Sequence, residues 1–234
     1  QILGNNASKL EVCEKKEKIL ELAKKLEIPT PKTRRIKTLK EARKAANQIG
    51  YPVLLKPESS GGGIGIKLAK NQEEIRDSFE EAMEAKDSEA LHVQEYVRGI
   101  DASGSVISNG KESVCLSVNK QIIGDERVDV PRKFGYCGNI IPLSEKKDTV
   151  SRIRQYSEKI CTKLGLIGSN GVDFVVSNGK PYLMEVNPRF QNTTDMVEES
   201  FGLNMVEKHI QSTKGEIPQR KKLEKCSGKL IIYA

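Results

Sequence analysis

The chain contains no tryptophan, and aromatic residues make up only 5% of its 234 residues. Histidine is also scarce, since the two that are present, His92 and His209, lie far apart in the sequence. Zinc sites and histidine-activated nucleophiles need such side chains in a cluster, so neither kind of site is indicated. Few aromatics and no recognisable base-reading motif also make nucleic acid an unexpected partner.

Paired cysteines are missing as well. The five cysteines are odd in number, scattered, and form no C-x-x-C pair. Disulfide frameworks and structural zinc sites use paired cysteines, so neither is indicated. We interpret these thiols as small buried or incidental side chains. They are Cys13, Cys115, Cys137, Cys161 and Cys226.

Long apolar stretches are a third absence. No run approaches the 18 apolar residues of a membrane-spanning helix, and the first residues show no basic and apolar signal peptide. The sequence therefore predicts a cytoplasmic protein that does not associate with membranes.

The surplus of positive charge, +7 overall, lies at one end of the chain. Residues 1–50 hold 13 Lys and Arg against 6 Asp and Glu, whereas residues 51–234 hold 26 of each. Without a base-reading motif beside it, we interpret this surplus as a solvated helix face.

The spacing of apolar residues predicts an α+β chain. A first helix is predicted through residues 12–26, ending before Pro29. A second helix begins after Thr38, which forms a capping box with Glu41, and ends at Gly50. Further along, we predict a helix capped by Asn71, another near residues 148–164, and short strands at residues 51–56, 66–69 and 92–97.

The sequence EVNPR near the C-terminal end is the most informative part of the chain. Alternate side chains share one face of a strand, so its Glu185, Asn187 and Arg189 are predicted to point the same way. Asp173 lies upstream, on the other side of Asn178-Gly179, a dipeptide typical of hairpin turns. The sequence therefore predicts two carboxylates on neighbouring antiparallel strands.

The length of the turn decides whether Asp173 and Glu185 share a face. A strict two-residue turn pairs Asp173 with Met184 and sends the two carboxylates to opposite faces. A three-residue loop, Ser177-Asn178-Gly179 with a left-handed glycine and a bulge after it, pairs Asp173 with Leu183 and makes Glu185 its diagonal same-face neighbour. We predict the bulged loop, and a strict turn would contradict a shared site.

Two carboxylates on one face need a reason to stay together. At about 4 Å they repel by roughly 4 kcal/mol at an effective dielectric constant of 20. A divalent cation removes this repulsion, and Mg²⁺ binds carboxylate oxygens, amide carbonyls and nucleotide phosphates. From these residues alone, an exposed hairpin with unrelated charges is an equal alternative.

A second motif, KPESSGGGIGI, consists of a strand that ends in Lys56, a glycine-rich loop and another strand. Glycines let backbone N–H groups approach phosphate oxygens, and the lysine adds a positive charge. The motif is neither a Walker A loop nor a Rossmann fingerprint, because both of those open a helix. We interpret it as a flap over phosphates. Taken alone, a mobile surface hairpin fits equally well.

Between the two motifs, Gln94-Glu95-Tyr96-Val97 ends a predicted strand. An adenine could wedge there and bond to main-chain groups. Asp101, four residues past Val97, could then accept hydrogen bonds from ribose hydroxyls.

Taken together, these motifs resemble the ATP-grasp superfamily, which includes biotin carboxylase, carbamoyl phosphate synthetase and many carboxylate–amine ligases. The resemblance covers nearly the whole chain, and the FQNTTDMVEESFGLN stretch is similar to carboxylate–amine ligases that include archaeal members of unassigned substrate. Five motifs stand in the family order: Lys16 thirteen positions before Pro29 of the IPTP segment, YPVLLKP with its glycine loop, VQEYVRGID, GVDFVV and EVNPRFQ.

The resemblance implies an α+β ATP-grasp fold, with two α/β lobes and ATP between them. Residues 1–28 would form an N-terminal helical segment, residues 29–96 the small lobe with the flap, and residues 97–234 the large lobe with the metal site. The resemblance also leads us to expect that the superfamily's usual N-terminal lobe, which often helps to bind the carboxylate, is not part of this sequence. A further departure is that Glu58, Ser59 and Ser60 stand where many relatives reach glycine at once, so the flap is expected to differ in shape.

The resemblance also assigns roles to residues. The nucleotide-binding set comprises two bases, four flap glycines, an adenine hinge and a ribose-binding acid: Lys16 and Lys56; Gly61, Gly62, Gly63 and Gly65; Glu95, Tyr96 and Val97; and Asp101. The implied ligands of Mg²⁺ or Mn²⁺ are Asp173, Glu185 and Asn187. Arg189 and Lys56 are the implied catalytic residues, which steady the transferring phosphoryl group.

The implied activity is that of an ATP- and Mg²⁺-dependent ligase. It activates a carboxylate as an acyl-phosphate, which an amine or another nucleophile then attacks. Residues 128–139 are interpreted as an acceptor-reading loop, with an ordinary exposed loop as the alternative. An ATP-grasp small-molecule kinase and a non-catalytic nucleotide- or nucleic-acid-binding module remain open, as do a homodimer and an N-terminal lobe of the same protein as partners.

Overall fold

The computed structural model describes residues 3–58, 61–85 and 88–233, so Ser59 and Ser60 of the predicted flap lie outside the described residues. The helices within this part are α1 (Ala7–Glu14), α2 (Lys16–Lys25), α3 (Leu39–Ile49), α4 (Ile75–Glu84), α5 (Lys147–Lys163), α6 (Thr194–Phe201) and α7 (Met205–Thr213). The strands are β1 (Thr33–Ile36), β2 (Val53–Pro57), β3 (Lys67–Ala69), β4 (Leu91–Glu95), β5 (Ile100–Asn109), β6 (Ser113–Ile123), β7 (Tyr136–Ile141), β8 (Ile167–Ser177), β9 (Lys180–Asn187) and β10 (Ser227–Leu230). None of the described helices is long and apolar enough to cross a membrane.

The chain forms two compact units from interleaved segments. The large-sheet unit comprises Gln1–Thr30, Gly99–Ile122 and Gly138–Ile231. The small-sheet unit comprises Pro31–Arg98, Ile123–Cys137 and Ile232–Ala234. The first helices thus belong to the large-sheet unit, whereas the sequence prediction set residues 1–28 apart as a helical segment.

The small-sheet unit contains a four-stranded sheet in the order β1-β4-β2-β3. Its described pairings are all antiparallel. Inner strand β2 alternates buried and partly buried side chains, and its Val53 and Leu55 are fully buried with Ala42 and Ile75 from the helices. This core supports the strand that carries the predicted phosphate-binding Lys56.

Helix α3 begins and ends where the sequence predicts. The Thr38 hydroxyl accepts from the Glu41 N–H, the Glu41 carboxylate accepts from the Thr38 N–H, and Gly50 has a φ of +94°. Helix α4 begins later than predicted. Asn71 instead accepts from the N–H groups of the next turn, and the helix starts at Ile75.

The predicted first helix is in fact two helices. Asn6 caps α1, and Lys15 adopts an extended conformation with a ψ of 95°. Lys15 thus separates the two helices, and α2 begins at Lys16. Its buried Ile19 and Ala23 pack into the core of the large-sheet unit.

The large-sheet unit is built on a six-stranded sheet in the order β10-β7-β6-β5-β8-β9. One face is apolar, and its Phe174 and Leu183 pack with Ile153 and Ile160 of α5. On the other face, an apolar cluster with α6 and α7 covers part of the sheet around Ile107. The remainder of that second face carries the polar side chains described next.

Candidate functional site

The hairpin that carries the predicted metal ligands has a strict two-residue turn. Ser177 pairs with Lys180, and both turn residues are left-handed, with φ values of +50° at Asn178 and +74° at Gly179. The predicted three-residue loop is therefore wrong. Asn and Gly both tolerate this conformation, and two such residues match the twist of the flanking strands.

The bulge lies farther along the hairpin than predicted. Phe174 pairs with Leu183, but the next pair is Asp173 with Glu185, so Met184 is an extra residue in β9. A bulge of this kind inserts one residue into one strand and shifts the faces of those beyond it. Asp173 and Glu185 are therefore directly opposite each other and share a face, in spite of the strict turn.

The apolar residues of β9 explain where this bulge occurs. Leu183 and Val186 are both buried in the same core, although they are three positions apart instead of two. An extra residue between them lets both reach the core face. This change of spacing is the signal in the sequence that could have located the bulge.

A lysine from helix α2 holds the bulge. The Lys16 ammonium donates to the main-chain carbonyl of Met184, the extra residue. The adjacent Leu183 N–H donates to the Pro29 carbonyl at 2.8 Å. The predicted phosphate-binding Lys16 thus lies beside the β8–β9 hairpin that carries the predicted metal ligands, within the same unit.

Asp173 is held by two amide groups. Gln121 Nε2 donates to its Oδ1 at 3.0 Å, and Asn187 Nδ2 donates to its Oδ2 at 2.8 Å. Burial raises the pKa of Asp173 to about 7, and the negative charge of Glu185 raises it too, while the two amides act in the opposite direction. Two bare carboxylates are therefore costly here, and a bound cation would stabilise both.

Asn187 and Arg189 complete the predicted cluster in different ways. Asn187 is 8% exposed, pairs with Gly171, and lies on the same face as Asp173. Strand β9 ends there because Pro188 has no N–H to donate. The sequence predicted Arg189 on the strand, and this prediction is wrong, because Arg189 lies beyond the strand end. Its Nη2 nevertheless lies 3.5 Å from Asn187 Oδ1.

The donor set suits a hard cation. Asp173 and Glu185 offer carboxylate oxygens, and the amide nitrogen of Asn187 already faces Asp173, which leaves Oδ1 as its ligand atom. Oxygen ligands of this kind match Mg²⁺ or Mn²⁺. These residues fit the metal that the sequence predicts.

Sequence reasoning missed a polar network on this face of the sheet. Asn119 is fully buried and donates to Ser105 Oγ at 3.0 Å, and Ser105 in turn contacts Thr193 Oγ1 at 3.0 Å. Gln121 lies two residues beyond Asn119 on β6. Polar side chains at alternate positions of β5 and β6 were the available signal, but the sheet order was needed to connect them with Asp173.

In the small-sheet unit, the predicted flap joins two antiparallel strands, β2 and β3, as expected. Gly62, Gly63 and Gly65 have φ values of +63°, +78° and +73°. A Cβ atom on Gly63 would lie 2.1 Å from the carbonyl oxygen of Phe134, whereas one on Gly61 or Gly62 would meet nothing within 4 Å. Only glycine fits at Gly63 without displacing the neighbouring main chain.

The segment that faces the flap is the predicted acceptor loop. Arg132 Nη1 donates to the Gly62 carbonyl at 3.5 Å. The Phe134 ring meets the Tyr96 ring edge to face, with centroids 6.4 Å apart. The loop therefore contacts both the flap and the predicted adenine hinge within the small-sheet unit.

Glu58, which stands where many relatives have glycine, forms an ion pair with Arg35. Arg35 donates to both oxygens of Glu58, at 2.7 and 2.8 Å. This contact lowers the pKa of Glu58. Lys56, two residues before it, is opposite His92 on β4.

The predicted hinge begins at Glu95, the last residue of β4. The Glu95 N–H donates to the Lys32 carbonyl at 2.8 Å, its carboxylate accepts from the Lys32 N–H, and the Tyr96 N–H donates to the Pro52 carbonyl. Val97 comes next and is partly buried. Asp101, the predicted ribose acid, lies on β5 in the large-sheet unit, where burial raises its pKa to about 6.

Comparison with known proteins confirms the resemblance. A family model described as an ATP-grasp domain matches residues 13–193. The large chain of carbamoyl phosphate synthase from Archaeoglobus fulgidus is 26% identical over 204 residues, which cover 87% of this chain and 19% of that protein. The formate-dependent phosphoribosylglycinamide formyltransferase of Sulfurisphaera tokodaii is 29% identical over 213 residues, which cover 90% of this chain and 53% of that protein.

Solved structures show the same fold. A biotin carboxylase complex with β,γ-ATP from Campylobacter jejuni superposes with a TM-score of 0.85 at 20% identity, over 97% of this chain and 52% of that one. Phosphoribosylglycinamide synthetase from Anaerococcus prevotii gives a TM-score of 0.70 at 21% identity, over 96% and 57%. The chain thus spans 19% of the length of the carbamoyl phosphate synthase large chain and about half of the length of the other relatives.

Proposed function

The chain belongs to the ATP-grasp family, and from this membership we propose that it acts in an ATP- and Mg²⁺-dependent ligase. In this proposal the enzyme activates a carboxylate as an acyl-phosphate, which an amine or another nucleophile then attacks. The name of one relative supports the class of substrate, since formate is a carboxylate. The identity of both substrates stays open, and a cytoplasmic location stays a prediction.

The pairing of Asp173 with Glu185 is the observation that carries the proposal. The bulge at Met184 brings both carboxylates and Asn187 to one face. A surface hairpin has no need for this arrangement, because like charges directly opposite each other destabilise a sheet. A divalent cation bound to both carboxylates and to nucleotide phosphates would remove this repulsion.

Each set of residues has a proposed task. Asp173, Glu185 and Asn187 would hold Mg²⁺, which would supply charge neutralisation at the phosphates. Lys56 and the flap glycines would bind phosphate oxygens through the ammonium and the backbone N–H groups. Arg189 would offset charge on the transferring phosphoryl group, so this chain contributes mainly positioning and electrostatic stabilisation.

A screen for ADP release tests this proposal. The full-length protein is incubated with Mg·ATP and pairs of small carboxylates and amines. ADP release that requires both partners supports the ligase. ADP release with a stable phosphorylated product and no amine would establish the kinase alternative instead.

Two variants make the screen specific. Glu185→Gln removes one proposed metal ligand, and Glu216→Gln makes the same chemical change at an exposed residue that the proposal does not use. We expect ADP release to fall at least 100-fold in the first variant and to stay within twofold in the second. Equal activity of the two variants would count against the metal assignment.

A further inference from the structure

Gln121 on strand β6 reaches Asp173 across an intervening strand. Strands β6 and β8 both neighbour β5 and are therefore two strand spacings, about 10 Å, apart. Ser103 of β5 pairs with Asn119 on one side and Asp173 on the other. Gln121 lies two residues beyond Asn119 on β6, so its long side chain reaches the Asp173 carboxylate diagonally across β5.

The contact fixes one half of the Asp173 carboxylate. Gln121 Nε2 donates to Oδ1, and Asn187 Nδ2 donates to Oδ2. Asn187 comes from the same hairpin as Asp173. Gln121 comes from β6, two strands away from β8, so amides from two separate hairpins hold the carboxylate.

We infer that Gln121 is a positioning residue for the metal site, in that its amide N–H orients the Asp173 carboxylate for the cation. This inference rests on the proposed function. Outer-shell hydrogen bonds that orient ligating carboxylates typically contribute 10-fold to 100-fold in metal affinity. Gln121 itself presents a nitrogen to Asp173 and is therefore not assigned as a ligand through that atom.

Glutamine is the side chain that this position requires. Asparagine keeps the amide but is one methylene shorter, so we expect it to fall short of Asp173 from β6. Methionine keeps the length but has no N–H to donate. Both variants should therefore lose the contact, each for a different reason.

The test measures manganese binding on the full-length protein. Free Mn²⁺ is followed by electron paramagnetic resonance during titration in the presence of saturating ADP. We expect Gln121→Met and Gln121→Asn to raise the Kd for Mn²⁺ about 10-fold or more, with metal-free ADP binding within twofold of the parent. Gln155→Met, at an exposed position of α5, is the matched control and should leave both values unchanged.

The outcomes separate the inference from the proposed function. If the parent protein binds no Mn²⁺ with ADP, or if Glu185→Gln binds it normally, the proposed function itself fails. If Glu185→Gln loses the metal while both Gln121 variants retain it, the positioning role alone is overturned. An equal loss of metal-free ADP binding would also overturn it, because a general structural role would then explain the effect. Gln121→Asn keeps the test decisive if the methionine variant does not fold.

Discussion

The β8–β9 hairpin, which carries the proposed metal ligands, and the glycine flap are positioned by different physical means. In the hairpin, the strand register and side-chain hydrogen bonds place the carboxylates, and the main chain departs from regularity at one residue, Met184. In the flap, left-handed glycines and a main-chain contact with Phe134 set the shape. The geometry of the hairpin therefore depends on the side chains that it carries, whereas the conformation of the flap depends on glycines that have no side chain.

The largest expected effect is at the hairpin. Asp173→Asn removes a charge and turns one of two acceptors into a donor that faces an amide N–H. We expect the affinity for Mn²⁺ with ADP to fall roughly 100-fold or more, because cation affinity follows the number of charged ligands. Titration of Mn²⁺ checks this, and a change of less than threefold would place the metal elsewhere.

The flap predicts a graded series at three neighbouring glycines. An alanine at position 61 would meet no atom within 4 Å and would not need a positive φ. At Gly62 the alanine would need a positive φ but would meet no atom. At Gly63 it would need a positive φ and its Cβ would also lie 2.1 Å from the Phe134 carbonyl oxygen. A left-handed alanine costs about 1–2 kcal/mol, or at least a fivefold change in an equilibrium constant. We expect Mg·ATP affinity to be unchanged in Gly61→Ala. It should fall about fivefold in Gly62→Ala and about 50-fold in Gly63→Ala.

Calorimetric titration of the three variants gives these affinities. Gly61→Ala serves as the control, because it adds the same methyl group in the same loop. Equal effects at all three positions would show that the flap does not depend on its main-chain conformation.

The sequence predicted the elements but not the detail that joins the two carboxylates. The family, the ATP-grasp fold, the capping box of α3 and the strand–loop–strand flap followed from short-range patterns and motif order. The turn was wrong because the shared face was assumed to require a longer loop. Both conditions hold together, since Asn178 and Gly179 favour the tight turn and the spacing from Leu183 to Val186 favours a bulge beyond it.

Long-range partners were out of reach of the sequence alone. Gln121 is distant from Asp173 in the chain, and only the strand order places it nearby. The return of residues 123–137 to the small-sheet unit is likewise a property of packing. Local spacing carries no information on either.

The turn of the hairpin should matter for stability and little for the metal. Gly179→Ala places a methyl group on a residue with a φ of +74°, at a cost of about 1 kcal/mol. We expect the Tm to fall by about 2–4 °C, with Mn²⁺ affinity within twofold. Gly228→Ala on β10, where a Cβ meets nothing within 4 Å, is the control. A large loss of metal affinity in Gly179→Ala would show that the turn sets the site.

The smallest expected effect concerns the charge beside the flap. Arg35→Gln leaves Glu58 without its partner, and the exposed acid would then repel phosphate. Both side chains are more than a third exposed, so we expect a loss of Mg·ATP affinity of only about threefold, which disappears near 0.5 M salt. Arg76→Gln removes the same charge from the Arg76–Glu80 pair of α4 and should have no effect.

The most direct test is a crystal structure of the full-length protein with Mn²⁺ and ADP, in which anomalous scattering locates the metal. We predict a manganese peak about 2.1 Å from carboxylate oxygens of both Asp173 and Glu185, with Met184 as the extra residue between paired strands. A peak bound by other residues, or a hairpin whose register sends the two carboxylates to opposite faces, would contradict the account.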